Sequence, residues 1–152
     1  MIKLSEFDRL DLKLLDGKIV SYYDNLMGAE LKGFYKKMTI NKVPKIYILK
    51  SADEYLYVGM TTQSIAIKLK SGLKANGKNG YHGYKWKDKI DISLYVWSLE
   101  KLEKLQAENI EAEIVYLIRE KTGFWPLSQN EIHFNNDYPE GKQIAKEILD
   151  FI

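Results

Sequence analysis

The stretch "KIYILKSADEYLYVG", Lys45 to Gly59, constrains the fold more than any other part of the chain. Two runs rich in β-branched and aromatic residues, "KIYILK" and "YLYVG", flank the turn-forming "SADE". That pattern predicts an antiparallel hairpin. With the period of two of a strand, Tyr55, Tyr57 and Gly59 fall on one face, and Tyr47 reaches the same face across the strands. A hairpin needs neither phenol, so Tyr47 and Tyr57 are candidates for a site.

The surrounding segments read mostly as helices. In "SEFDRLDLKLL", Phe7, Leu10, Leu14 and Leu15 have helical spacing, Ser5 can cap the start and Asp16-Gly17 ends the run. A second helix is expected over "YYDNLMGAELKGFYKKM", interrupted by Gly28 and Gly33. After the hairpin, Ile65, Leu69 and Leu73 form an i, i+4, i+8 stripe, with Thr62 as cap and Gly77 as stop. "DISLYVWSL" predicts a third strand, Glu103 to Thr122 a long helix closed by Gly123, and "KQIAKEILDFI" a short terminal helix. The expected fold is α+β, with a small three-stranded antiparallel sheet flanked by helices and a helical N-terminal extension.

Length and composition narrow the class. At 152 residues, 45% hydrophobic and 29% charged, the chain suits one globular domain. No stretch approaches bilayer length, and "MIKLSEFDRL" lacks the form of a signal peptide, so a cytoplasmic protein without a membrane partner is expected. Cysteine is absent, which excludes disulfides, thiolate metal sites and a cysteine nucleophile. No P-loop, dinucleotide fingerprint or serine-hydrolase elbow occurs. A net charge of +2 does not by itself announce nucleic-acid binding. Between Lys68 and Lys89, however, Lys70, Lys74, Lys78, Lys85 and Lys87 accompany Tyr81, His82, Tyr84 and Trp86, with Asp88 the one acid. Such a segment can follow phosphates while its rings pack on sugars or bases. A solvated lysine-rich helix and loop is the plainer reading of the same residues.

Among the acids, Glu113 stands out. Helical geometry sets it beside Ile110, Ile114 and Leu117, where a carboxylate needs a lysine or a divalent cation as partner. Glu111 lies well round the helix from it. His82, between Gly80 and Gly83, is the better placed histidine for proton transfer or phosphate contact, and His133 in "EIHF" reads as structural.

Together, "KIY" (45–47), "YVG" (57–59), the basic helix that follows and a later helix with an isolated glutamate resemble the GIY-YIG nuclease superfamily. The resemblance covers roughly residues 43 to 134, and "AEIVYLIREKTGFWPLSQNEIHF" also looks like the end of that domain in bacterial members. It implies a nuclease domain over 43–136, an N-terminal extension over 1–42 and a C-terminal helix over 137–152. By that resemblance Tyr47 sits beside the attacking water and Tyr57 lines the same site. Gly59 gives the backbone room to turn into the basic helix, Glu113 holds one Mg²⁺ or Mn²⁺ ion, and Asn130 completes the site. Lys45 stands where the family has glycine. Lys68 stands where it has arginine, keeping the charge but losing the planar fork that grips two phosphate oxygens. Mg²⁺ needs only one or two protein carboxylates, which suits a lone glutamate.

Three functions follow from these readings. The first is a metal-dependent endonuclease, acting on DNA ahead of RNA, with a homodimer as one route to double-strand cleavage. The second is a nucleic-acid-binding module of the same fold without cleavage. The third is a structural or protein-interaction domain in which the tyrosines are ordinary strand aromatics.

Overall fold

The computed structural model describes residues 3–34, 36–74, 89–129, 132 and 137–152. Six strands and three helices occur among them. In chain order they are β1 (Asp8–Leu15), β2 (Lys18–Asp24), β3 (Ala29–Leu31), β4 (Lys45–Ser51), β5 (Glu54–Thr61), α1 (Ile65–Lys74), β6 (Asp91–Ser98), α2 (Lys104–Thr122) and α3 (Gly141–Asp150), with a 3₁₀ turn at Lys36–Thr39. The strands form one antiparallel sheet in the order β3-β2-β1-β6-β4-β5, curled into a half-barrel.

This corrects the expectation of a small three-stranded sheet with a helical N-terminal extension. The segment around Leu10 to Leu15 satisfies two periods at once. Leu10, Leu12 and Leu14 are all buried, which is the alternation of a strand rather than the stripe of a helix. Asp16 and Gly17 both have positive φ, 52° and 72°, and Leu15 pairs with Lys18. They form the two-residue turn of a hairpin, not a helix end. At the next bend, the Asp24 carboxylate accepts from the N–H groups of Leu26 (2.9 Å) and Met27 (3.0 Å). Gly28 then turns at φ 68° into β3. The second expected helix is thus a second strand connection.

From the hairpin onward the elements agree in type with the expectation. β4 lies inside the sheet, between β5 and β6, and is buried on both faces. On one face Ile46, Ile48, Tyr55, Tyr95 and Trp97 pack under α2 and α3. On the other, Tyr47, Leu49, Leu56, Leu94 and Leu10 pack with Ile65 and Leu69 of α1. β1 pairs with β6, so the N-terminal strands extend the hairpin's sheet rather than standing apart from it.

Candidate active site

Register explains how β4 and β5 arrange their tyrosines. Tyr47 pairs with Gly59 and Leu49 with Tyr57, so Tyr47 and Tyr57 share the α1 face. Their ring centroids are 5.9 Å apart at 35°. A register shift between Leu49 and Lys50 makes Leu56 the extra residue of a bulge. Tyr55 therefore turns to the α2 face, against the expectation that it joins Tyr57 and Gly59. Gly59 has a different task from the one the resemblance implies. A Cβ there would collide with the Tyr47 ring, so the missing side chain is the seat of that ring. Tyr47 is fully buried and Tyr57 half-buried.

Lys45 is also buried, and its amine donates to the carbonyls of Ile40 (2.7 Å) and Val43 (2.6 Å). Burial pulls its pKa down. The residue where the family has glycine is thus a clasp holding the loop before β4.

α1 begins directly after β5. Ser64, rather than Thr62, caps it: its hydroxyl accepts from the N–H of Ile67 at 3.2 Å. Its own N–H donates to the Asn41 side chain at 3.1 Å. With Ile65 and Leu69 turned to the sheet, Lys68 is half-buried on the flank of that inward face, whereas Lys70 is exposed. The backbone of Lys74 ends the helix.

On α2, Glu111 is a carboxylate on which Lys68 acts electrostatically. Glu111 is held up to a pKa of about 8 by burial first and by Glu108 on the preceding turn, while Lys68 acts in the opposite sense. The buried residues of α2 are Ala107, Asn109, Ile110, Ala112, Ile114, Val115 and Ile118. Glu111 falls within the apolar arc of Ala107, Ile110, Ile114, Val115 and Ile118, and both Glu111 and Glu113 are half-buried. Glu113 lies about 200° further round at about 100° per residue. It follows Asn109 by one turn, on the flank where the Asn109 amide abuts Gly141 of α3. Reading Glu113 from Ile110, Ile114 and Leu117 alone shifted the inferred arc to one side. Including Ala107, Val115 and Ile118 would have centred it on Glu111.

The outer edge of β5 is covered by the segment after α2. Leu127 N–H donates to the Tyr55 carbonyl (3.0 Å) and Ser128 N–H to that of Leu56 (2.8 Å). The Gln129 side-chain amide accepts from Val58 N–H at 2.9 Å and donates to Val58 O at 3.0 Å. A side chain thus completes the ladder as a strand would. His82, Lys78, Lys85, Lys87 and Asn130 lie outside the described residues, as does Gly77, the expected stop of α1.

Tyr47, Tyr57 and Gly59 are therefore together on one face with α1, and Lys68 stands in the field of Glu111. Among the described residues no group of three or more His, Cys, Asp or Glu side chains could hold a metal ion. No helix among them is long and apolar enough to cross a membrane. Comparison with protein-family models, curated proteins and solved structures returns no match to this chain.

Proposed function

We propose that the chain is a metal-dependent endonuclease that hydrolyses phosphodiester bonds, with DNA as substrate ahead of RNA. The observation that carries the reading is the pairing of the Tyr47 and Tyr57 phenols on the α1 face, with Lys68 of α1 acting electrostatically on the half-buried Glu111 carboxylate. In this reading Tyr47 orients the attacking water and, as the phenolate, takes its proton to become the neutral phenol, and Tyr57 positions the phosphate beside it. A phenol of ordinary pKa near 10 is a weak base, so a neighbouring cation is needed to ease that transfer. Lys68 supplies positive charge for the transition state.

The carboxylate role passes from Glu113 to Glu111. Glu111, pushed up in pKa by burial and by the charge of Glu108, is the carboxylate whose hard oxygen donors suit a divalent cation. Glu111 would hold Mg²⁺ or Mn²⁺, displacing the proton it otherwise carries. When bound, the ion would polarise the phosphoryl oxygen and stabilise the leaving oxyanion.

Nicking of supercoiled plasmid in Mg²⁺ or Mn²⁺ tests the proposal. Wild type and Glu113→Ala should nick, while Glu111→Ala, Lys68→Ala and Tyr47→Phe should lose nicking by about two orders of magnitude or more. Absence of nicking by clean wild-type protein on several substrates overturns the enzyme reading. Salt-dependent DNA binding without nicking would then assign the chain as a binding module.

A further inference from the structure

The opposite face of the sheet carries a second set of cations and rings that the hairpin site does not use. Arg9 and Arg119 are the only arginines in the chain, and both lie over aromatic rings. The Arg9 guanidinium is 5.3 Å from the Tyr95 ring centroid, and that of Arg119 is 5.3 Å from the Trp125 centroid. Between them the Lys50 amine sits 4.7 Å from the Tyr55 centroid. Arg9 and Tyr95 are cross-strand partners on β1 and β6, and Lys50 and Tyr55 are partners on β4 and β5. The cations and rings therefore cross four neighbouring strands in sheet order and end at the C-terminal end of α2.

There the row opens into a cleft of 310 Å³, lined by Tyr55, Ile118, Phe124, Trp125 and Leu127, with Asp53 and Glu54 at its rim. Phe124 (69%), Trp125 (47%) and Leu127 (57%) are left exposed. Lysine and arginine cluster beside it: Lys121 and Arg9 both act on Lys50, with Asp53 opposing them. Asp11 offsets Arg9 at 3.6 Å. Arg9, Lys50, Arg119 and Lys121 still outnumber Asp11, Asp53 and Glu54.

We propose that this face binds single-stranded nucleic acid, its phosphates following the Arg9–Lys50–Lys121 row and an unstacked base entering the Phe124–Trp125 cleft. Flat apolar rings beside basic groups suit a ligand that alternates aromatic planes with anions. A duplex keeps its bases stacked inside and offers no plane to Trp125, which is why the unpaired strand is the occupant. The choice of ligand rests on the nucleic-acid reading of the hairpin site. It adds that the substrate has an unpaired flank, held on the face opposite Tyr47 and Tyr57.

Anisotropy titration of a labelled oligo(dT) and of a duplex of equal length tests this on the full chain. Wild type should bind oligo(dT) more tightly than the duplex. Trp125→Ala should weaken oligo(dT) binding roughly tenfold and leave duplex binding unchanged. Lys121→Glu, at an exposed position, should weaken it and lower the slope of log affinity against log salt by about 0.7 or more. Phe124→Ala provides a second probe of the cleft should Trp125→Ala melt early. Wild-type affinity for oligo(dT) in Trp125→Ala, Phe124→Ala and Lys121→Glu alike overturns the proposal, as does a wild type that prefers duplex. Glu111→Ala separates the two readings. Lost nicking with retained oligo(dT) binding supports this face, whereas nicking by a wild type that does not bind oligo(dT) overturns it and leaves the hydrolase standing.

Discussion

Tyr47 fills the volume that any side chain at position 59 would need. Gly59→Ala should therefore cost about 1–3 kcal/mol in urea unfolding, because a buried ring has nowhere to retreat. Combining it with Tyr47→Ala should recover part of that cost, and strictly additive effects would show that the ring does not lie there. Glu111 makes a second demand at this scale. Its folded pKa of about 8 lies above the ordinary glutamate value of 4.5, so the folded state binds the proton more tightly between those values. Stability from this group is complete below about pH 4.5 and is lost as pH rises through about 8. In divalent-free buffer, unfolding free energy should fall by roughly 2–4 kcal/mol from about pH 5 to about pH 9. Glu111→Gln should flatten that dependence, and an unchanged slope in the variant would assign it elsewhere. Tyr47 and Tyr57 were readable as a pair because strand period alone places them. Glu111 was not, since its burial depends on which arc of α2 meets β5, and three sequence neighbours do not determine that arc.

Element identity was legible wherever one period ruled. The hairpin, α1, β6 and α2 each show a single dominant pattern, and α2 even ends where Gly123, at φ 83°, donates its N–H to the Arg119 carbonyl. The N-terminal segment failed because Leu10, Leu14 and Leu15 suit a helix while Leu10, Leu12 and Leu14 suit a strand. Pairing with β6 decided the contest, and that partner lies some eighty residues away in the chain. Asp16-Gly17 carried the better local signal, since this dipeptide flanked by alternating leucines marks a hairpin. The covering of β5 was invisible for a related reason: a glutamine in a loop gives no hint that its amide will serve as a strand. Gln129→Leu removes both bonds to Val58 and leaves that N–H and carbonyl unpaired. The expected cost is about 1–3 kcal/mol, with faster exchange at the Val58 amide and self-association through the opened edge in light scattering. Unchanged exchange at Val58 would mean that the backbone bonds of Leu127 and Ser128 suffice.

At the scale of the molecule, the resemblance to a nuclease domain begins at about residue 43, but the sheet does not. Leu10, Leu12, Leu14 and Met38 are fully or nearly fully buried in the same cluster as Tyr47, Leu49, Leu94 and Ile65. The Trp97 indole donates to the Leu4 carbonyl at 2.9 Å. Residues 43–152 alone would expose one whole edge of β6 and strip the α1-side core of one wall. Losing even one such leucine costs about 2–5 kcal/mol, against a typical domain stability of about 5–15 kcal/mol. The fragment should therefore fail to fold cooperatively, with no sharp thermal transition and no near-ultraviolet dichroism, while the full chain shows both. If it instead melts sharply within a few degrees of the full chain, the N-terminal strands are an appendage to an autonomous domain. The outcome bears on the site as well, because Tyr47 draws part of its packing from those leucines. A fragment that folds and nicks plasmid would show that the hairpin site needs no wall from β1, whereas loss of both would make the first forty-two residues part of the scaffold that holds Tyr47 and Tyr57 in place.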